Sequence, residues 1–460
     1  MAHRNAVLKR LLDMWRTPVG RGYLMLAVMS AAFGLAYYAN QAILTNYFQG
    51  VLHLNGPMFG YITAIREIPG FFLIFLTALF YRLSQQRLTA FALVLLGVGL
   101  AGFALATNFW TVIPWVIISS VGFHTVLQTQ YSLGMTLTEE SESGSILGKM
   151  AAYVQGGALA GTAIVLFIFL FKLSSFHPVF LALGAISLVA AAAIVGFPHL
   201  HQGKPSKAVL AQRRLVLRRD YRYYYWLNAL DGARQQLFFS FGLWVLVNHF
   251  HLSVASICIV LLVAAVVGMV SSSWAGRMLD RYGERRTLSV INVAYIVALG
   301  GYALANNVIL ACIFFVIYYF ITPLSPIGAA TYLRKIAVPE DIPPSLAMGV
   351  TFLHATAIVV PVLAGIVLNF VGYQVPFFIA CGFACVGIVI ILRLDPRAQR
   401  SAARVAMDAQ SDGLQAASAE GAAAMAAAES GTVLLAPDGG EMSAVGDATC
   451  SPFEQTGGCD

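Results

Sequence analysis

Arg66, Glu67, Asp231 and Arg234 are ionisable residues set inside long apolar runs, where a charge needs a partner or a water-filled cavity. Asp231 and Arg234 lie one helical turn apart, with Asn228 and Gln235 on nearly the same face. At 1.5 Å per residue, Arg234 falls roughly 18 Å along its helix from Arg222, and Arg66 and Glu67 fall roughly 13–15 Å along theirs. Adjacent helical residues point about 100° apart, so Arg66 and Glu67 need not pair with each other. Ser120, His124, Gln128 and Tyr131 form a polar stripe at helical spacing, and Lys149 with Tyr153 and Thr351 with His354 add shorter ones.

Arginine keeps its charge and presents a planar fork, which suits recognition of an anion; a carboxylate inside an apolar bundle suits proton exchange. The sharpest reading is therefore that Arg66 or Arg234 holds an anionic substrate group while Asp231 or Glu67 exchanges protons. Gln128, Gln235, His124 and His354 complete the candidate set. The structural alternatives are an internal Asp231–Arg234 pair without a ligand, and histidines that only hydrogen-bond between helices. Tyr37, Tyr38, Tyr318 and Tyr319 fit either a cavity wall or aromatic packing. No Gly-rich phosphate loop with Lys is present, and no His/Cys/Asp spacing suggests a metal, so neither an enzyme, a cofactor nor a resident metal is expected.

The elements that must position these residues follow from composition. A chain of 460 residues that is 59% hydrophobic and only 11% charged is excluded as an ordinary soluble domain, which runs near a quarter charged. Apolar spans are predicted near 22–48, 58–81, 88–106, 109–136, 146–171 and 176–197, then 222–248, 254–276, 288–305, 308–333, 345–370 and 374–393. With both termini inside, 25 of the 28 Lys and Arg residues fall on the inner side, which predicts cytoplasmic termini in a cell (inner) membrane. The net charge of +7 is thus an orientation signal, with no nucleic-acid partner implied. Cys258, Cys312, Cys381 and Cys385 sit in predicted spans, and Cys450 and Cys459 in the tail, where free thiols are expected.

The organisation predicted is a basic arm (1–21), a six-helix bundle (22–197), a linker loop (198–221), a second six-helix bundle (222–393) and an acidic Ala/Gly-rich tail (394–460) expected to be disordered. The two bundles correspond at a near-constant offset of 198 residues: Arg21, Tyr23 and Gly34 recur as Arg219, Tyr221 and Gly232, and His53-Leu54 recurs as His251-Leu252. Gly70 likewise matches Gly268. A duplicated six-plus-six bundle points to a transporter with its site between the halves.

After the eighth predicted span the chain reads Gly276, Asp280, Arg281, Gly283, Arg285, Arg286, a basic loop on the predicted cytoplasmic side with Gly283 placed for a tight turn. This resembles the signature loop of the major facilitator superfamily, and Pro361 to Gly365 with Gly372-Tyr373 resembles that family's eleventh span and outer turn. The corresponding loop of the first half departs from the pattern, because Arg82 stands where the acid belongs. The fourth span lacks the Arg typical of proton-coupled drug antiporters, and the fifth reads Gln155-Gly156-Gly157 through Gly161 without the Gly-Pro of many exporters. The resemblance implies an all-α fold of twelve transmembrane helices in two pseudo-symmetric bundles. It also implies a cavity lined by the first, second, fourth, fifth, seventh, eighth, tenth and eleventh spans. The function expected is secondary transport of a small organic anion or zwitterion by a monomer working through alternating access with protons. An exporter of amphipathic drugs or metabolites is the alternative, and a receptor or assembly factor on the same fold is a third reading.

Overall fold

The computed structural model describes residues 13–72, 83–138, 143–198, 217–400, 404–407 and 409–410. Arg82, the basic linker residues Lys204, Lys207, Arg213 and Arg214, and most of the acidic tail lie outside these residues. The first half consists of α1 (Pro18–Gly50), α2 (Gly56–Phe71), α3 (Gln85–Gly102), α4 (Phe109–Met135), α5 (Ser143–Leu170) and α6 (Phe176–Val195). The second begins with α7 (Arg222–Gln236), which runs through a π-helical segment (Leu237–Gly242) into α8 (Leu243–Asn248). It continues with α9 (Val254–Ala303), α10 (Val308–Ile321), α11 (Leu324–Ile336), α12 (Ile342–Val371) and α13 (Gln374–Leu392). No strand occurs among the described residues.

Ten of the described helical stretches are long and apolar enough to cross a membrane. The other two predicted spans differ for visible reasons. The second is described only to Phe72, and the π segment divides the seventh into shorter helical pieces. The eighth and ninth spans are two helices that meet at a kink at Gly283 and share the label α9. That residue has φ 73° and ψ 166°, a conformation open to glycine and strained for other residues, as the sequence predicts for the turn. Pro323 divides the tenth span into α10 and α11, whereas α12 runs through Pro361 without interruption.

The helices start where polar caps allow. Asn55 accepts from the Met58 amide, Ser84 from Arg87, Asn307 from Leu310, and Asn108 shares a capping box with Thr111. The internal repeat is visible in the backbone: His53 and His251 both adopt positive φ (52° and 56°), and Leu54 and Leu252 each donate at 2.9 Å to the carbonyls of Phe48 and Leu246.

In the first half, α1 packs along α5 and α6, and α3 along α4 and α6; in the second, α9 packs along α10 and α13, and α7 along α12. The halves meet through α2 against α12 and α5 against α9. The α2–α12 contact is backbone on backbone: a side chain at Gly60 would meet the Pro361 carbonyl at 2.4 Å, and one at Gly365 the Gly56 carbonyl at 2.6 Å. Near the same end of the bundle, Asn46 Nδ2 donates to the Leu252 carbonyl at 2.9 Å and the Phe59 ring meets those of Phe241 and Trp244. Cross-half contacts thus gather at the end that carries the His53 and His251 turns.

At the opposite end, Glu284 is buried and pairs with Lys335 of α11 at 2.6 Å. Asp280, Arg281, Arg285 and Arg286 are exposed, and Gly276 lies on α9. Among the described residues Asp280 has no ion partner. The acid that ties this loop down is Glu284, one residue beyond the turn. Asp341 anchors the start of the second half, taking Arg218 at 2.8 Å and the Tyr221 hydroxyl at 2.9 Å.

Candidate functional site

Three helices bring four of the sequence candidates together. Arg66 and Glu67 come from the C-terminal half of α2, His124 from α4 and His354 from α12. Arg66 does meet its neighbour: its Nε and Nη2 each lie 3.4 Å from Glu67 Oε1, because the long side chain curls back across the angle between adjacent positions. The other carboxylate oxygen faces the histidines, with His354 Nδ1 at 3.2 Å and His124 Nε2 at 4.0 Å from Oε2. His124 is oriented from behind, since its Nδ1 lies 3.0 Å from the Ser120 carbonyl and 3.1 Å from Ser120 Oγ. Ser120 Oγ in turn donates to the Arg66 carbonyl, tying α4 to α2 at this level. Glu67 and His124 are buried.

Gly70 makes the cluster possible. A side chain there would meet the His124 ring at 2.6 Å and His354 Cε1 at 2.8 Å. The two imidazoles occupy that space, edge to face with centroids 5.3 Å apart.

A cavity of about 800 Å³ opens between the halves, with walls from α1, α2, α4, α5, the π segment with the ends flanking it, α9, α10 and the Thr322-Pro323 break. Arg66 is the one charged side chain among its described lining residues. Asn40, Gln41, Gln155 and Gln236 supply amides, while Tyr37, Phe123 and Tyr319 supply aromatic faces. Tyr37 and Phe123 stack with centroids 3.8 Å apart. Glu67, His124 and His354 sit behind Arg66, off this wall.

Asp231 and Arg234 are placed elsewhere. Both are buried, at 6% and 3% exposure, inside the second half and off the cavity wall. Arg234 bonds Asp231, approaches Asn292 Oδ1 at 3.4 Å and lies over the Tyr295 ring at 3.4 Å from its centroid. Gln235 donates to the other Asp231 oxygen. The polar face of α7 thus meets Asn292 and Tyr295 on the far arm of α9, and Gln236, two positions beyond Arg234 and so on the opposite side of the helix, lines the cavity instead. Gln128 is exposed on α4, away from the cluster. Sequence reasoning missed Asn40, Gln41, Gln155 and Gln236 as lining residues; the spacing of Gln41 four residues after Tyr37, whose hydroxyl it approaches at 3.3 Å, was the available signal.

The sequence model of the Major Facilitator Superfamily matches residues 24–327 and 224–421. No curated protein matches the chain. Among solved structures, the nucleoside transporter NupG is similar at TM-score 0.67 and 16% identity, covering 81% of this chain and 100% of that one. A bacterial homologue of the human lysosomal transporter Spinster, in an inward-facing and occupied conformation, is similar at TM-score 0.63 and 12% identity, covering 80% and 95%. At these identities the likeness is one of fold. The family match, the apolar helices and the central cavity together establish that the chain belongs to the major facilitator superfamily, as a multi-pass membrane transporter of small molecules and not an enzyme.

Proposed function

We propose that the chain moves a small organic anion or zwitterion by alternating access, coupled to protons, with Arg66 anchoring the anionic group. The observation that carries this reading is the position of Arg66: it is the one charged side chain among the described residues of the cavity wall, and its neighbour Glu67 reaches across to His354 in the opposite half. A proton taken up by this cluster changes the contact between α2 and α12, the helices along which the halves meet. Substrate charge at Arg66 and proton occupancy at Glu67 are then felt by one interface, which is the requirement for coupling.

Under the basic-residue asymmetry, both termini face the cytoplasm of an inner membrane, and a monomer carries the whole path because the cavity walls come from one chain. The His53 and His251 turns then mark the outer face, so the gathered cross-half contacts close that face and the conformation is inward-facing.

The aromatic walls favour a second reading, export of amphipathic compounds, because Tyr37, Phe123 and Tyr319 offer ring faces to a flat apolar solute. Uptake into proteoliposomes decides between them, using labelled carboxylates, amino acids and phosphorylated metabolites against neutral sugars and a cationic amphiphile. Transport of an anion or zwitterion that weakens about tenfold or more in Arg66→Lys supports the reading, since the lysine keeps the charge and loses the fork. Transport of only the cationic amphiphile, unaffected by Arg66→Lys, overturns it.

A further inference from the structure

We propose that Glu67, His124 and His354 form a binding site for one divalent transition-metal ion of the zinc class, held between the two halves of the transporter. One ligand atom from each residue lies within 4.8 Å of the others. A tetrahedral ion with bonds of about 2.1 Å needs its ligand atoms roughly 3.4 Å apart. The observed 3.2 Å and 4.0 Å separations from Glu67 Oε2 bracket that value, the two ring nitrogens lie within 4.8 Å of each other, and the imidazoles would turn toward a common centre to take up one ion.

The chemistry of the donors is selective. Two imidazoles and one carboxylate suit zinc, cobalt or nickel, whereas magnesium and calcium favour oxygen donors throughout. Three protein ligands also leave a position open for water. The surroundings match those of a built metal site. Ser120, through its carbonyl and hydroxyl, holds His124 by Nδ1 and leaves Nε2 directed at Glu67, the outer-shell arrangement that fixes a ligating histidine. Arg66 occupies only Oε1, leaving Oε2 to face the histidines. Gly70 lets both rings lie against its backbone, where a side chain would displace them. Arg66 also places a positive charge beside the ion, which lowers affinity and makes binding reversible.

The ligands come from α2, α4 and α12, so a bound ion would join the halves where they already touch and hold this conformation. Metal and proton compete for the same donor atoms, which makes the ion an antagonist of coupling rather than a driver of it.

The test needs no substrate, so its outcome is separate from that of the anion reading. The full chain, freed of any affinity tag and held in detergent, is titrated with Co²⁺ as a spectroscopic probe and then with Zn²⁺. One Co²⁺ per chain with visible d–d bands, displaced by Zn²⁺, is expected. His354→Gln, His124→Gln and the isosteric Glu67→Gln should each weaken binding about tenfold or more and alter the bands, while His53→Gln leaves both unchanged. Absence of a stoichiometric site in the wild-type chain overturns the proposal, whatever the variants do. So does binding whose affinity and spectrum are the same in wild type, His124→Gln and His354→Gln.

Discussion

Replacing Asp231 by Asn removes one charge from the buried pair of α7 and little volume. Arg234, 3% exposed, would keep the Tyr295 ring face and Asn292 but lose its counter-charge. Breaking a buried ion pair from one side costs about 3–5 kcal/mol, and a desolvated cation–π contact offsets about 2 kcal/mol of that. The expected net loss is about 1–3 kcal/mol of stability. A single interhelical hydrogen bond in a membrane bundle contributes about 0.6 kcal/mol on average and about 1.7 kcal/mol at most, so a loss above about 1.7 kcal/mol identifies the missing charge. Reversible unfolding in mixed micelles reads this directly, and gradient-driven uptake per folded molecule reads function alongside it. The expected result is a less stable protein whose folded fraction transports normally. Adding Arg234→Met to Asp231→Asn should restore most of the stability, because both charges then leave together. Unchanged unfolding together with abolished gradient-driven uptake in Asp231→Asn would refute the reasoning and return the coupling role to α7.

Gly70→Ala forces at least one imidazole from its place, and overpacking of this size costs about 1–3 kcal/mol. His354 should yield first, since His124 is also tied to Ser120; cross-half spin-label distances between α2 and α12 should lengthen, and unchanged distances would count against the geometry. At the other end, Glu284→Gln should loosen the Gly283 turn more than Asp280→Asn, because Glu284 is the acid that holds Lys335. Lys335 is 49% exposed and can turn to water, so the expected cost is at most about 1 kcal/mol, measured as cysteine accessibility in the turn. Equal accessibility in both variants, or more in Asp280→Asn, would restore the sequence reading of that loop.

Much of the architecture was legible in the sequence. The offset between the halves, the His53 and His251 turns and the Gly283 break follow from local backbone needs and repeat directly. The site was only partly legible. A polar helical face shows that something polar must be met, without showing whether it is water or another helix; α7 therefore read as cavity-facing, while its Asp231–Arg234 face is filled by Asn292 and Tyr295. Metal-like grouping was invisible for a different reason. Glu67, His124 and His354 are far apart in sequence, with no ligand spacing between them, and only the packing of α2, α4 and α12 brings their donor atoms together. At the Gly283 turn Asp280 is exposed while Glu284 is buried against Lys335, a contrast that the spacing of the loop alone does not show.

Under the proposed function, Glu67 couples a proton to movement of the two halves while Arg66 holds the substrate. Paired flux assays in proteoliposomes test it, comparing substrate accumulation under an imposed pH gradient with gradient-free counterflow of the same labelled anion. Glu67→Gln should retain counterflow near the wild-type level, because the cavity wall and Arg66 are intact, and should accumulate nothing under the gradient. Gradient-driven accumulation by Glu67→Gln equal to that of the wild-type chain would contradict the account.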